Sequence, residues 1–222
     1  VWYCGEPLRA LWEDYLSGAS YKTLRCTVKP TSSFSYGKTY SSIFLSGMLY
    51  DFSIKALRTL DMKTARSYRR IIANSYYSKE LVGRVYHLEK NVSVVYPGIE
   101  PKEHLRIDAP EPALYNYVLA VGAMIPMKNH INLLKAFSRL PSRYRSRLKL
   151  LIIGDGPLKN VIQSTIRELG LKNVIIKAWV SEDELTSYYH GCRFIVHVAL
   201  HEPFGLVPLE AALFGKPSIV SN

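Results

Sequence analysis

The second half of the chain alternates short apolar segments with longer segments of helical periodicity. The apolar segments predict strands, which we place at Tyr117–Val121, Leu148–Ile153, Val174–Ala178, Phe194–Val198 and Ser218–Val220. The segments between them predict helices, which we place at Asn129–Leu140, Leu158–Leu169, Glu182–His190 and Gly205–Leu213. Apolar, unalternating strands separated by helices are typical of a parallel sheet covered on both faces. Right-handed crossovers then give an α/β, doubly wound, Rossmann-like fold, which binds ligands at the carboxyl ends of its strands.

The first half predicts a second, less regular α/β domain. Its strands are expected at Val1–Cys4, Ile71–Asn74 and Val92–Val95, and its helices at Leu8–Leu16, Ser42–Tyr50, Ser53–Arg69 and Ser78–His87. From residue 97 to residue 112 the chain carries four prolines and several charges, as domain linkers do. The pattern therefore predicts a domain at 1–97, a linker at 98–113 and a second domain at 114–222.

The composition is that of a folded protein with a sizeable core, since 48% of the 222 residues are hydrophobic and 21% are charged. No apolar run is long enough to span a bilayer, and no basic and apolar leader precedes the first predicted strand. We therefore expect the protein to be cytoplasmic.

Cysteines and histidines give no metal-binding pattern. Cys4, Cys26 and Cys192 form no Cys-x-x-Cys pair, so neither a disulfide framework nor a zinc site is expected. His197 and His201 are four residues apart, which along a strand is roughly 13 Å and too far for one shared ion. No metal site is expected, and the cysteine usage favours a reducing compartment.

The net charge of +11 is spread along the chain, with 14 basic and 8 acidic residues in 1–100 and 15 and 10 in 101–222. This spread favours a solvated basic surface, and no nucleic-acid partner is expected; a nucleic-acid binder would instead lose affinity steeply with salt. One denser cluster on a predicted helix comprises Lys55, Arg58, Lys63, Arg66, Arg69 and Arg70. In one interpretation this cluster is a binding face for anionic lipid head groups or for a charged acceptor. In the other it flanks a buried stripe of Leu57, Leu60 and Ala65.

Two glutamates, Glu202 and Glu210, lie eight positions apart, between a predicted strand and the second turn of a predicted helix. The free N–H groups of a helix start favour an anion such as a phosphate. A carboxylate further along the helix can accept hydrogen bonds from sugar hydroxyls. This arrangement indicates a site for a phosphorylated sugar, although for the spacing alone two solvated surface glutamates are the commoner case.

Other loops at the carboxyl ends of predicted strands carry small or basic residues. Gly122 opens a loop that leads to Lys128 and Asn129, where the ammonium group can neutralise a diphosphate. An ordinary lysine near a helix start is the alternative interpretation, although the helix dipole slightly disfavours it. Gly154 opens a Gly-Asp-Gly-Pro turn, which by itself is a turn in any protein.

The string Glu-Pro-Phe-Gly-Leu-Val-Pro-Leu-Glu-Ala at residues 202–211 resembles the Glu-x7-Glu signature of retaining glycosyltransferase family 4. Members of that family have the GT-B fold, which consists of two Rossmann-like domains. The resemblance implies an enzyme that moves a sugar, with retention, from a nucleotide-diphosphate-sugar donor to an acceptor hydroxyl. It also implies no bound metal, and a front-face mechanism in which the departing phosphate takes the acceptor's proton.

The resemblance also implies a role for individual residues. Glu210 would hold the ribose, Glu202 the hydroxyls of the donor sugar, and Lys128 the leaving diphosphate, so that Glu202 and Lys128 are the implied catalytic residues. The remaining implied donor-binding residues are Gly122, Asn129, Gly154, Phe204, Gly205 and Leu206, with Trp179 and Val180 close to the base.

The segment at residues 2–12 resembles the family's acceptor-side segment and implies that Gly5, Glu6 and Arg9 lie at the acceptor cleft. Two positions depart from the family pattern. Gly5 stands where the family has a histidine, and Ala123 stands where it has an arginine that grips the diphosphate. These departures favour the alternative of a degenerate, non-catalytic module that binds nucleotide sugars or a membrane surface.

The resemblance implies that residues 1–97 are the C-terminal portion of the acceptor-side domain and that 114–222 form a truncated donor domain. Both GT-B domains are thus expected to be incomplete here, in a protein of about twice this length whose fragment alone is inactive. The expected partners are a nucleotide sugar, a glycan or lipid-linked acceptor, and an anionic membrane contacted peripherally at its inner face.

Overall fold

The structure, a computed structural model, describes the backbone of residues 2–4, 40–99 and 116–221 and the side chains of residues 52–99 and 116–221. The chain divides into two compact units, Val1–Pro97 and Gly98–Asn222, and each unit is described by itself. None of the helices in the described ranges combines the length and apolar content that crossing a membrane requires.

A three-stranded parallel sheet forms the centre of the first unit. Its strands are β1 (Trp2–Cys4), β2 (Ile71–Ala73) and β3 (Val92–Val94), in that order across the sheet. Its helices are α1 (Tyr40–Ser67) and α2 (Tyr76–Tyr86). The core of this unit lies where α2 packs on the sheet, and Ala73, Val82 and Tyr86 are fully buried there.

The helix α1 is continuous over 28 residues, so the prediction of two helices at Ser42–Tyr50 and Ser53–Arg69 is wrong. The two predicted segments are joined by Asp51 and Phe52, and neither residue type breaks a helix. Because the junction holds no proline, every backbone N–H there can continue the helical hydrogen bonds.

Only part of the buried stripe predicted for α1 faces the core. Ala65 is buried, but Leu57 and Leu60 are 47% and 60% exposed, so the alternative of a buried stripe holds for Ala65 alone. Ile54 and Met62 pack against the core beside Ala65 instead. The spacing of Ile54, Met62 and Ala65, eight and three residues, fits the helical period. Leu57 falls at the edge of the face that they form, and Leu60 falls on the opposite side.

A serine side chain caps the start of α2. The hydroxyl of Ser75 accepts a hydrogen bond from the N–H of Ser78 at 3.0 Å, which satisfies one of the free donors of the first turn. The helix therefore starts at Tyr76, two residues before the predicted start. It ends at Tyr86, and the next residue, His87, adopts a left-handed φ of 58° and donates its N–H to Gly83 O.

The second unit contains a five-stranded sheet in which all neighbouring strands are parallel. The strands are β4 (Tyr117–Val121), β5 (Lys149–Ile153), β6 (Val174–Lys177), β7 (Phe194–His197) and β8 (Ser218–Val220), in the order β6-β5-β4-β7-β8. The helices are α3 (His130–Ser138), α4 (Ser142–Arg145), α5 (Lys159–Glu168), α6 (Glu182–Gly191) and α7 (Leu206–Leu213), with a 3-10 turn at Pro126–Lys128. The predicted doubly wound α/β fold is therefore confirmed.

Alternate residues of β4 enter two cores on opposite faces of this sheet. Val118 and Ala120 pack in a core with α3 and α5, whereas Tyr117 and Leu119 pack in a core with α6 and α7. Burial on both faces explains why the strands show no polar alternation. The strand order reverses between β4 and β7, and the carboxyl edge at such a reversal is where doubly wound sheets bind ligands.

Candidate functional site

Backbone hydrogen bonds join the loops that follow β4, β5 and β7 at the carboxyl edge of the second sheet. The N–H of Met124 donates to Asp155 O at 2.8 Å and joins the β4 loop to the β5 loop. The N–H of Leu200 donates to Met127 O at 2.9 Å and joins the β7 loop to the β4 loop. Met127 directly precedes Lys128, and Leu200 lies two residues before Glu202, so the second of these bonds brings Lys128 and Glu202 close together.

Gly154 lies where the β4 and β5 loops touch. Its φ is 155°, and a Cβ atom built on it would lie 2.0 Å from Gly122 O. Only glycine permits so close an approach of two backbone segments. Packing within the protein thus requires a glycine at residue 154, and a nucleotide contact at this position stays a prediction.

Asn129 makes the change from the 3-10 turn to α3. It adopts a left-handed φ of 57°, which asparagine tolerates better than most residues, and its Oδ1 accepts a hydrogen bond from Asn132 Nδ2 at 2.8 Å. Lys128 is the last residue of the turn, and its side chain reaches the β7 loop from there. Asn129 therefore ends the turn that carries Lys128.

Glu202 is contacted by Lys128 and His197 on the same carboxylate oxygen, Oε2. Lys128 Nζ donates to this oxygen and forms an ion pair with it, and His197 Nε2 lies 2.9 Å from it. The side chains of Lys128 and Glu202 are each about a quarter exposed, whereas His197 is buried. Within the described residues no further hydrogen bond reaches Glu202, which leaves Oε1 available to a ligand.

The electrostatic surroundings keep Glu202 ionised. The hydrogen bond with His197 lowers the pKa of Glu202 to about 2, opposed by desolvation and supported by the hydrogen bond and charge of Lys128. Burial lowers the pKa of the nearby His130, whose Nε2 lies 3.3 Å from Gly122 O. At neutral pH this edge of the sheet thus holds a Lys128–Glu202 ion pair together with a neutral His130.

The start of α7 lies beside Glu202. Gly205 precedes the helix with a φ of 84°, a conformation that favours glycine, and a Cβ atom built on it would lie 3.6 Å from Glu202 Cγ. No side chain among the described residues caps this helix start. Its first N–H groups, which include that of Leu206, can therefore donate to an anion.

Glu210 has a partner of its own. It lies in the second turn of α7 and accepts a hydrogen bond from Tyr189 Oη at 2.6 Å. Tyr189 belongs to α6 and is 2% exposed. None of the described hydrogen bonds connects Glu210 to Glu202, so the two predicted glutamates are held independently.

The remaining predicted residues differ in their surroundings. Trp179 follows β6 and is 85% exposed, whereas Val180 packs against the core that contains α6 and α7. Their proximity to a base stays a prediction. The predicted acceptor-side residues Gly5, Glu6 and Arg9 lie outside the described residues.

A cavity of about 410 Å³ lies between α3 and the strands β4, β7 and β8. Its lining is mostly apolar, with Asn129, Asn132 and Ser221 as the polar exceptions, and includes neither Glu202 nor Glu210. The cavity is therefore separate from the charged cluster at the carboxyl edge.

Two residues of the site have no role in the motifs read from the sequence. The sequence presents His197 only as a possible metal ligand, yet in the structure it contacts Glu202. Tyr189, which contacts Glu210, belongs to none of those motifs. In the described part of the chain no three His, Cys, Asp or Glu residues lie together as a metal site would need. A polar residue that ends a buried strand five positions before Glu202 is the signal that points to His197.

Comparison with known proteins assigns the fold to a class, that of the GT-B glycosyltransferases. The Anabaena protein HepE, whose structure was solved in complex with UDP and glucose, superposes with a TM-score of 0.60 at 22% identity. That match covers 73% of this chain and 47% of HepE, and at this identity it supports the fold alone. The family model Glycosyl transferases group 1 matches residues 101–222, more than half of the chain, and the chain belongs to this family.

Curated relatives support the same family. The chain is 27% identical over 189 residues to an uncharacterized glycosyltransferase of Methanocaldococcus jannaschii, covering 79% of this chain and 48% of the relative. It is 25% identical over 186 residues to an O-antigen chain mannosyltransferase of Salmonella typhimurium, covering 82% of this chain and 48% of the relative. The chain thus spans about half the length of these two relatives.

Proposed function

We propose that the full-length protein transfers a sugar, with retention, from a nucleotide-diphosphate sugar to an acceptor hydroxyl. The observation that carries this proposal is the cluster of Lys128, Glu202 and His197 at the carboxyl edge, next to the uncapped start of α7. A cation and free N–H groups suit a diphosphate, and a carboxylate with one available oxygen suits sugar hydroxyls.

Lys128 and the N–H groups at the start of α7 would stabilise the leaving diphosphate. In glycosyl transfer, negative charge grows on the diphosphate as the bond to the sugar breaks. Fixed donors aimed at that charge lower the barrier without reorganising during the reaction. Lys128 is held in place by Glu202 before the donor arrives, which reduces the freedom it would lose on binding.

Glu202 would accept hydrogen bonds from hydroxyls of the donor sugar through Oε1, while Lys128 and His197 hold Oε2. Glu210 would accept hydrogen bonds from the ribose. The backbone at residues 204–206 and the glycines Gly122 and Gly154 would line the diphosphate path. Trp179 and Val180 would lie near the base.

We infer that the reaction needs no bound metal, because Lys128 and the helix start can supply the charge stabilisation that a divalent ion gives elsewhere. Transfer should therefore proceed at an unchanged rate after dialysis against EDTA. Loss of activity that is restored by a divalent ion would contradict this part of the proposal.

The acceptor that we propose is a glycan or lipid-linked saccharide of the cell envelope. This suggestion rests on relatives such as the O-antigen chain mannosyltransferase of Salmonella typhimurium, and on the basic residues of α1. We propose that the protein meets this acceptor in the cytoplasm, at the inner face of the membrane. We propose peripheral contact with anionic lipids there.

Calorimetric titration of UDP, GDP and ADP, and of their sugar conjugates, into the full-length protein tests the donor site. We expect one nucleotide to bind selectively, and Glu210→Ala to weaken it. Glu168→Ala, on the exposed side of α5, is the matched control and should leave binding unchanged. Retention is tested by the anomeric configuration of the product in proton NMR, and a product of inverted configuration would contradict it.

A second candidate is a non-catalytic module that binds a nucleotide sugar. It is favoured by Ala123 and Gly5, which stand where the resembling family has an arginine and a histidine. Selective nucleotide binding without any transfer by the full-length protein would support this candidate over the enzyme.

A further inference from the structure

The carboxylate of Glu210 is bonded to a hydroxyl group that the core of the protein holds in place. Tyr189 Oη donates to Glu210 Oε2 at 2.6 Å, and Tyr189 is 2% exposed. The two residues belong to different helices, α6 and α7, and are 21 positions apart in sequence. The bond thus fixes a side chain of α7 by means of α6.

The ring of Tyr189 is itself held by packing. It stacks on the ring of Phe214 with a centroid distance of 5.3 Å and an angle of 4° between the planes. It also belongs to the buried cluster that includes Ile195 of β7 and Ala211 of α7. Because the ring has little room to turn, its hydroxyl presents a fixed donor to Glu210.

Burial, together with the hydrogen bond and charge of Glu210, raises the pKa of Tyr189. The hydroxyl therefore stays protonated, and remains a donor, through the physiological pH range. A donor of this kind takes one lone pair of one carboxylate oxygen and leaves the rest of the acceptor capacity intact.

The second oxygen of Glu210 is available to a ligand. Among the described residues, the bond from Tyr189 is the only hydrogen bond to Glu210, so Oε1 has no partner there. A carboxylate fixed in this way suits two adjacent hydroxyls, which can donate to it together. Removing either hydroxyl from the ligand would leave an acceptor site unused.

We propose that Tyr189 is a positioning residue, which orients Glu210 toward the vicinal hydroxyls of a nucleotide's ribose and so sets selectivity for ribonucleotides over 2′-deoxyribonucleotides. This inference rests on the proposed function, in which Glu210 contacts the ribose. Tyr189 acts through Glu210 and does not touch the ligand.

The test compares the Kd values of UDP, GDP and ADP with those of their 2′-deoxy forms, in the full-length protein and in Tyr189→Phe. Phenylalanine keeps the ring stack on Phe214 and removes only the hydroxyl. We expect the preference for the ribonucleotide to fall by about fivefold, with affinity for the 2′-deoxy form changed less than about twofold. Tyr188→Phe is the matched control, since the ring of Tyr188 faces Lys177, and it should leave the preference unchanged.

A second variant tests the same orientation from the other side of the bond. Glu210→Asp keeps the carboxylate but shortens its reach to Tyr189, so it should reduce the preference in the same direction. Circular dichroism and the thermal unfolding of each variant check that the fold is kept.

The outcomes separate this inference from the function on which it rests. If Tyr189→Phe weakens the binding of ribonucleotides and 2′-deoxyribonucleotides equally, Tyr189 has only a structural role, and the proposed donor site is unaffected by this result. An unchanged preference in both variants would overturn the inference as well. If the unmodified protein binds none of the nucleotides, or binds them without preference for ribose, the assignment of Glu210 fails and the inference fails with it.

Discussion

At the scale of single residues, Glu202 is the point where the charges of the candidate site meet. Its Oε2 atom contacts both the buried imidazole of His197 and the ammonium group of Lys128. Each contact favours the ionised carboxylate, and together they outweigh the desolvation that opposes it. The side chain is thus fixed in place and charged before any ligand is present.

Replacing the charge of Glu202 without changing its shape should separate chemistry from nucleotide binding. In Glu202→Gln we expect turnover to fall by roughly a hundredfold, since the proposed hydrogen-bond partner of the donor sugar loses its charge. Nucleotide Kd should stay within about threefold, because Glu210 keeps its bond with Tyr189 and the ammonium group of Lys128 is still present. Steady-state kinetics and calorimetry measure the two quantities.

The matched control is Glu168→Gln, an exposed glutamate on α5, which should change neither quantity. A larger loss of nucleotide affinity in Glu202→Gln would show that the roles assigned to Glu202 and Glu210 are exchanged.

The low pKa of Glu202 makes its contribution to stability depend on pH. A carboxyl group whose pKa is lower in the folded state stabilises the fold above its unfolded pKa, here 4.5, and the contribution is lost as pH falls through the folded pKa, about 2. The difference in unfolding free energy between the unmodified protein and Glu202→Gln should therefore shrink between pH 5 and pH 2.5. Urea unfolding at a series of pH values measures it.

In the same experiment, removing the hydrogen bond from His197 should weaken the pH dependence. With His197→Ala as background, the folded pKa of Glu202 should rise toward 4.5, so that less stability is lost on acidification. A pH dependence that is unaffected by this change would mean that Lys128 alone holds the carboxylate in its ionised form.

At the scale of elements, contacts between loops decide where the site residues lie. The β4 and β5 loops meet at Gly122 and Gly154, and the β4 and β7 loops are joined by the hydrogen bond from Leu200 to Met127. These contacts link segments that are far apart in sequence. The site is therefore only as well ordered as the packing of these loops.

Gly154→Ala should destabilise the second unit more than an ordinary glycine substitution. The new methyl group would lie 2.0 Å from Gly122 O, which forces the two loops apart. We expect a loss of more than about 3 kcal/mol in unfolding free energy, measured by urea denaturation. Nucleotide affinity should fall too, because Lys128 follows the displaced loop.

Gly170→Ala provides the matched control. Gly170 also has a positive φ, of 62°, but nothing lies within 4 Å of a Cβ atom built on it. It should lose only about 1–2 kcal/mol from the strained backbone. The effect on the entropy of the unfolded chain is the same in both variants and cancels. Equal losses in the two variants would contradict the proposed clash at Gly154.

How much of each element could be predicted depends on where its stabilising contacts lie. The strands β4 and β5 are buried on both faces, so their apolar runs, such as residues 150–153, are visible in the sequence itself. The continuity of α1 is not visible in this way, because polar and apolar residues near Asp51 fit a turn and a helix equally well. The bond between Tyr189 and Glu210 joins two helices, and no local sequence pattern predicts it.

The same distinction applies to the candidate site. Glu202, Gly205 and Glu210 fall in one string and could be singled out together. Lys128 could be proposed from its position after a strand, but its ion pair with a residue 74 positions away could not. In the sequence, His197 could be considered only together with His201 as a metal ligand. Its contact with Glu202 depends on how the β7 loop folds, which the sequence does not show.

At the scale of the whole molecule, part of the net charge of +11 lies on α1, next to exposed apolar side chains. Phe52 and Leu60 of α1 are 73% and 60% exposed, and Lys55 and Lys63 lie at positions that share their side of the helix. An exposed face that combines aromatic, aliphatic and cationic side chains suits the interface of an anionic membrane.

We therefore expect the full-length protein to bind vesicles of phosphatidylglycerol and phosphatidylcholine in equal parts, and to bind phosphatidylcholine vesicles much more weakly. The double variant Lys55→Ala/Lys63→Ala should lower the partition coefficient by about thirtyfold, since each lysine near an anionic surface contributes about 1 kcal/mol and a tenfold change corresponds to about 1.4 kcal/mol. Raising the salt concentration should reduce binding of the unmodified protein in the same direction. Co-sedimentation with the vesicles measures all three quantities.

The double variant Lys90→Ala/Lys172→Ala removes the same charge from exposed positions outside α1 and is the matched control. If it lowers binding as much as the α1 variant, the attraction belongs to the overall charge and not to this face. Phe52→Ser tests the apolar part separately, because it leaves the charge unchanged. Binding that keeps its strength in Phe52→Ser but falls with salt would be purely electrostatic, and α1 would then lie above the lipid head groups without inserting between them.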